Sequence, residues 1–226
     1  MLLLTDIQIV LLDFDGLLVS TEHLHFQAYQ RMCQKRGFVL SWDFARFCAV
    51  AHKSSTGLKE TIYKELPGLY QQEPIWDVLY LEKKTEYKEL VIQGHVELMP
   101  GVEQFLKLLE EKNMKRAVVT HSPKEQIDLI KRQIPLLSTI PLWITREDYT
   151  DPKPVPDGYL RALELLAEPA DRVIGFEDTW RGYQALVASG VPGVVVSSVL
   201  DPAFEQQLLS VGAPIVHSFY DVLSRA

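Results

Sequence analysis

An α/β fold is predicted, a doubly wound parallel sheet with an inserted α-helical domain, and three observations predict it. Strand and helix patterns alternate from Gly101 onward, which is the grammar of a parallel sheet with crossover helices. A separate apolar strand, residues 7–12, stands far ahead of them. Between the two, from Gly16 to about Gly94, helical periodicity dominates and no strongly strand-like run occurs.

In order, the strand over 7–12 ends in Asp13 and Asp15, and Gly16 lets the chain turn. The helical stretch opens with Leu24, Ala28 and Met32 at spacing four, beside Tyr29 and Cys33, and closes with Trp76, Tyr80, Tyr87 and Val91 at helical spacing. These side chains are expected to form its core. Residues 16–20 and 93–94 read as two hinge strands, so the domains are expected at 1–17 with 95–226 for the core and 18–94 for the helices. Beyond the hinge come a helix over 102–111, a β-branched strand over 116–120 and a helix opening at Pro123. A short strand near 142–144, a helix over 156–166 and a strand over 172–176 follow. A helix running through Ala188 is one that Gly190 can terminate, and strands over 193–196 and 214–217 complete about six parallel strands.

The 226 residues are 47% hydrophobic and 23% charged, ordinary for a protein with a full core. Lys and Arg total 23 against 30 Asp and Glu, a net charge of -7, so no general basic surface is offered to nucleic acid and none is expected as partner. An anionic substrate would need local help. Cys33 and Cys48 lack Cys-x-x-Cys spacing and read as thiols in a reducing, cytoplasmic setting. The apolar start lacks a basic region and a cleavage pattern and reads as mature protein. No run approaches the roughly eighteen apolar residues of a membrane span. The six histidines are scattered, and His95, His121 and His217 show no metal-ligand spacing.

Four motifs carry chemistry. Side chains at i and i+2 of an extended chain share a side, so Asp13 and Asp15 can face one point, where they repel unless a cation lies between them; a strand ending in a polar turn is the alternative. Thr120-His121-Ser122 follows a strand, with Ser122, Pro123 and Glu125 reading as N-cap, N1 proline and capping-box glutamate. The Thr120 hydroxyl and the free amides of that helix suit a phosphate oxygen. Lys153 lies between Pro152 and Pro154, which make its direction a property of the loop. Glu177 and Asp178 end another apolar strand, where one of them could instead cap the next helix. All four sit at the carboxyl ends of expected parallel strands, where open α/β sheets build their sites. A carboxylate pocket beside a hydroxyl, helix amides and a lysine suits phosphoryl transfer, and a small set of hard oxygen ligands selects Mg²⁺.

On Asp13-Phe14-Asp15-Gly16-Leu17-Leu18-Val19-Ser20-Thr21-Glu22, Thr120, Lys153-Pro154-Val155-Pro156-Asp157 and Gly175-Phe176-Glu177-Asp178, taken in order, the chain resembles the haloacid dehalogenase superfamily. It is similar to the helical-cap phosphatases and the β-phosphoglucomutase-like branch over nearly its whole length. The resemblance implies a Rossmann-like core and a cap domain. It also implies an Asp13 nucleophile forming an aspartyl phosphate, with Asp15 as general acid and base. Asp13, the Asp15 carbonyl, Asp178 and Glu177 would hold Mg²⁺, while Thr120 and Lys153 would bind the phosphoryl group. His121 departs from the small residue or Asn often found after the Thr, and Ser20 replaces a frequent acid. His25, four residues after Thr21, matches a histidine that mutase-like relatives place near the general acid and base; a satisfied polar residue between domains is the alternative. The loop His52-Lys53-Ser54-Ser55 lacks the Gly-plus-Arg pattern of relatives, leaving Lys53 as its cation.

A Mg²⁺-dependent phosphatase acting on a small phosphorylated metabolite such as a sugar phosphate is therefore expected, as a monomer or weak dimer. Its substrate contacts would be Thr120, His121, Lys153, Thr21, His25 and Lys53. A phosphomutase of the β-phosphoglucomutase type and a catalytically silent binding protein are the alternatives.

Overall fold

The structure, a computed structural model, describes residues 4–51, 55–94, 96–198, 200 and 202–225, the side chains of Ser55 and Thr56 excepted. The chain divides into two compact units, one formed by residues up to Ser20 with those from Glu97 onward, the other by Thr21–Val96.

Eight strands occur among the described residues: β1 (Ile9–Leu12), β2 (Val19–Ser20), β3 (Glu97–Leu98), β4 (Lys115–Val119), β5 (Leu142–Ile144), β6 (Val173–Glu177), β7 (Gly193–Val196) and β8 (Ile215–Val216). Six of them form one sheet in the order β5-β4-β1-β6-β7-β8, and every pairing in it is parallel. The expected six parallel strands are thus present. β1 lies between β4 and β6, and the chain winds outward from it in both directions, so the crevice beyond the carboxyl end of β1 is the switch point of the sheet. Its four residues are fully buried, as a central parallel strand covered on both faces requires. β1 begins at Ile9 rather than residue 7, because its ladder starts at the pairs with Lys115 and Val173. β2 and β3 form a separate antiparallel pair.

The Thr21–Val96 unit comprises α1 (Glu22–Lys35), α2 (Phe44–Ala51), α3 (Ser55–Glu65), α4 (Pro67–Gln72) and α5 (Trp76–Ile92). Phe26, Tyr29, Met32, Cys33, Phe47, Ile62 and Leu79 share its core. Leu24, Ala28, Tyr87 and Val91 are buried as their spacing predicts, whereas Tyr80 is 37% exposed. The reason lies in the phase of α5, whose buried face runs through Leu79, Lys83, Glu86, Tyr87, Leu90 and Val91. Two charged residues on that face have local partners. Glu86 pairs with Lys35, and the Lys83 ammonium lies 2.6 Å from His25 Nδ1 and 5.0 and 5.1 Å from the Tyr29 and Tyr87 ring centres. His25 stacks on Tyr87 at 4.2 Å. His52, Lys53, Ser54 and His95 lie outside the described residues. Cys33 and Cys48 are free thiols.

The sheet is flanked by α6 (Val102–Glu111), α7 (Lys124–Gln133), α8 (Asp157–Leu166), α9 (Trp180–Ala188), α10 (Pro202–Ser210) and α11 (Phe219–Leu223). α6 buries Val102, Phe105, Leu106 and Leu109 at helical spacing. Phe105, Phe176 of β6 and Phe219 of α11 pack ring to ring at 4.5 to 5.7 Å, and each such buried side chain contributes roughly 1.5–3 kcal/mol. No helix among the described residues is long and apolar enough to cross a membrane.

One titration in the helical unit is testable. Burial, then the Lys83 charge, hold His25 well below the ordinary histidine range. The unfolded chain takes up a proton near pH 6.5 that the folded one refuses, so stability is intact above that pH and falls as pH drops below it. Urea unfolding at pH 7.0 and 5.5 is expected to show a loss of up to about 1.4 kcal/mol per pH unit from this group, and His25→Gln is expected to remove that share of the slope.

Candidate active site

Parallel register brings the candidate residues together. Leu12 of β1 pairs with Val118 of β4 and Phe176 of β6, so one step further Asp13 stands level with Val119 and Glu177. Thr120 follows β4 and Asp178 follows β6. Lys153 arrives from the loop between β5 and α8.

The Lys153 ammonium joins them. It donates to Asp13 Oδ1, to Glu177 Oε1 at 2.6 Å and to the Val119 carbonyl at 3.0 Å, which uses all three of its protons. Its side chain is 14% exposed. Burial works against the charge, but Asp13 and Glu177 outweigh it and hold the ammonium well above the ordinary lysine range. The exposed Arg181 on α9 donates to the Lys153 carbonyl and so ties down the loop. The proline-flanked lysine is thereby directed inward, as its sequence context predicts.

Asp13, Glu177 and Asp178 each offer a carboxylate oxygen within 4.8 Å of the others. Glu177 belongs to β6 itself and is fully buried. Tyr159 of α8 donates to its Oε1, while Oε2 is buried without a hydrogen-bond partner, a costly state that a bound cation would relieve. Burial pushes the Glu177 carboxyl up, Lys153 opposing and Asp13 reinforcing. Two glycines make room for these acids. A Cβ on Gly16, whose φ is +82°, would lie 2.1 Å from Asp178 Oδ2, and one on Gly182 would lie 1.9 Å from Glu177 Oε2. Hard oxygen donors in small number, one of them orphaned, fit a small divalent cation.

Asp15 departs from the expected convergence. Its carboxylate is not in the acidic cluster: Ser122 donates to Asp15 Oδ2 at 2.5 Å, and the Thr120 hydroxyl lies 3.5 Å from the same oxygen. β1 has already ended at Leu12, and the turn closed by the Gly16 amide on the Val19 carbonyl removes the i, i+2 alternation of an extended strand. Ser122 therefore does not cap α7, which starts at Lys124 with Pro123 at the N-cap position. Gln126 donates to the Ser122 hydroxyl at 3.0 Å. Two amides expected to await an anion are already used, Ser122 N–H by Thr120 Oγ1 and Lys124 N–H by Glu147. The cap of α9 is Thr179, which accepts from the Gly182 amide, and neither Glu177 nor Asp178 takes that role.

The sheet unit thus assembles Asp13, Asp15, Thr120, Lys153, Glu177 and Asp178. His121 lies beside them, its Nδ1 3.0 Å from the Tyr149 hydroxyl. Thr21 and His25 belong to the helical unit, and Lys53 lies outside the described residues. Tyr159, Gly182 and Ser122 as partner of Asp15 go beyond the motif reading. No local signal marks Gly182, whose part is set by the Glu177 carboxylate lying against it.

The sequence model of haloacid dehalogenase-like hydrolases matches residues 10–196, a span that holds every one of these side chains. The chain belongs to that family. This haloacid dehalogenase-like hydrolase is 30% identical over 208 residues to a phosphorylated carbohydrates phosphatase of Thermotoga maritima, covering 90% of this chain and 91% of the relative. It is 27% identical to protein CbbY of Rhodobacter capsulatus over 85% of this chain and 86% of that one. Its fold is shared with the crystal structure of CbbY from Rhodobacter sphaeroides in complex with phosphate, with a TM-score of 0.73, 21% identity and 96% of each chain covered.

The cradle is testable in this hydrolase. Gly182→Ala is expected to force Glu177 aside and to cost about 1–3 kcal/mol, the usual range for an overpacked core. Chemical denaturation checks it, and a stability equal to wild type would show that Glu177 has other room.

Proposed function

We propose that this enzyme is a Mg²⁺-dependent phosphatase that hydrolyses a small phosphorylated metabolite, a sugar phosphate by class, through an aspartyl phosphate on Asp13. The observation that carries the reading is the buried Lys153 ammonium held between Asp13 and Glu177 beside Asp178. Three carboxylates against one ammonium leave two negative charges, which match one divalent cation. The names of relatives, among them the phosphorylated carbohydrates phosphatase and a (DL)-glycerol-3-phosphatase 2 of Arabidopsis thaliana, support the substrate class.

An Asp13 oxygen attacks phosphorus as the bond to the leaving oxygen breaks, and Asp15 gives that oxygen a proton. Asp15 then takes a proton from water as the water oxygen displaces Asp13 from phosphorus, which restores both side chains and releases phosphate. Ser122 holds Asp15 on the α7 side of Asp13, where one carboxylate is set for attack and the other for proton transfer. Lys153, by exchanging one of its present acceptors, and the Thr120 hydroxyl bind the transferring phosphoryl oxygens, and the lysine charge counts most where negative charge accumulates. Asp13, the Asp15 carbonyl, Glu177 and Asp178 would hold Mg²⁺, which supplies charge screening between the phosphate and the carboxylates. The Thr21–Val96 unit is assigned the role of a cap that selects substrate.

Asp13→Asn is expected to reduce turnover at least ~10³-fold, since an amide neither attacks phosphorus well nor serves as an anionic ligand. Release of inorganic phosphate from a panel of sugar and polyol phosphates measures it, and near-normal release would overturn the nucleophile. Activity is expected to vanish in excess chelator and to return with Mg²⁺ but not Ca²⁺, whose larger, looser shell misaligns the reacting groups. Conversion of β-glucose 1-phosphate to glucose 6-phosphate with little free phosphate would replace the phosphatase by a mutase, and absence of turnover across the panel would favour a silent binding protein.

A further inference from the structure

Lys153, Thr120 and the acids account for the phosphoryl group, but the residue that follows Thr120 has a defined chemistry of its own. The Tyr149 hydroxyl lies 3.1 Å from the Thr120 carbonyl oxygen and 3.0 Å from His121 Nδ1. A phenol has one proton, and a carbonyl oxygen can only accept. If that proton went to the histidine, two oxygen atoms would face each other at 3.1 Å with no hydrogen between them. Both contacts are satisfied only when Tyr149 donates to Thr120 and His121 supplies its Nδ1–H to the Tyr149 oxygen. Nε2 then carries a lone pair.

The surroundings keep it so. Burial pushes the Tyr149 phenol up to about 12, so it retains its proton. Burial, followed by the charges of Arg146, Lys153 and Arg181, holds His121 below the ordinary histidine range, which disfavours a second proton on Nε2. The residue retains solvent access and stands on the loop that leaves β4 next to Thr120. A phosphate monoester lodged there extends its leaving group beyond the phosphoryl oxygens. A neutral acceptor can recognise only a donor, and on a sugar or polyol phosphate the donors are hydroxyl groups.

Resting on the phosphatase reading above, we infer that His121, fixed by Tyr149 as the Nδ1–H tautomer, is a specificity-determining residue whose Nε2 accepts a hydrogen bond from a hydroxyl of the leaving group, so that the substrates are phosphate monoesters of polyhydroxylated alcohols. Tyr149 is the positioning residue. It acts through the imidazole and touches no substrate.

The test uses the full chain with Mg²⁺, wild type and the variants His121→Leu, His121→Gln and Tyr149→Phe, on sorbitol 6-phosphate and on 4-nitrophenyl phosphate, which has no hydroxyl to offer. Long-range ¹H–¹⁵N spectra of the free enzyme are expected to show His121 pyrrole-like at Nδ1 and pyridine-like at Nε2, and Tyr149→Phe is expected to erode that preference. His121→Leu is expected to lower kcat/KM for sorbitol 6-phosphate about 3- to 10-fold, the worth of one neutral hydrogen bond, and to leave 4-nitrophenyl phosphate within about twofold. His121→Gln, which restores an acceptor, is expected to recover part of the loss, and Tyr149→Phe to show a smaller loss carried in KM. A proton on Nε2 in the wild type, an equal loss on both esters, or hydrolysis of 4-nitrophenyl phosphate without any of sorbitol 6-phosphate would overturn the inference. Failure on both esters would overturn the phosphatase reading beneath it, and the substrate role of His121 with it.

Discussion

A lysine ammonium held between two buried carboxylates is the contact that joins the strand ends of the sheet unit. Lys153 reaches Asp13 after β1, Glu177 in β6 and the carbonyl of Val119 in β4, from a loop that follows β5. Four neighbouring strands are thereby tied at one point. Removing one partner of such a cluster leaves an uncompensated buried charge, which typically costs 3–5 kcal/mol. With Asp178 included, three carboxylates face one ammonium, a net negative balance that suits a cation.

Backbone topology decides where that point lies. The two strands that flank β1 belong to opposite windings of the sheet, so their following loops diverge and leave a crevice over its carboxyl end. Within the crevice, space is set by what glycine lacks. Asp178 and Glu177 occupy the volumes that Cβ atoms at Gly16 and Gly182 would fill. β1 has ended before Asp13, and Asp15 meets Ser122 and not the acidic cluster. Proposed nucleophile and proposed acid are separated by their place in the backbone and not by a difference in residue type.

The helical unit shows how charge is kept inside a small core. Lys83 and Glu86 are buried on α5, and each has a designated neighbour, His25 with its tyrosines for the one and Lys35 for the other. Buried polar pairs of this kind lose much of their value when one member changes its proton, which couples the stability of this unit to the state of His25.

The sequence by itself determined the fold class, the order of the parallel strands' motifs and the identity of the acids, lysine and threonine in the site. Apolar period, proline and glycine placement and strand-end acids are local properties, and a parallel sheet turns strand ends into neighbours. The strand over Ile9–Leu12 and the strand-end positions of Thr120 and Glu177 were legible for that reason. Tyr80 was misread as core because period alone does not set the phase of a helix whose buried face carries Lys83 and Glu86. Ser122 looked like a cap, since a Ser-Pro before a helix has that local meaning, yet its hydroxyl is claimed by an acid 107 residues away. Tyr159 and Gly182 carry no motif at all and acquire their roles only by standing next to Glu177. Tertiary structure alone decided which oxygen each hydroxyl serves and which amides are already spent. Those choices are made by distances between residues far apart in the chain, and no local pattern records them.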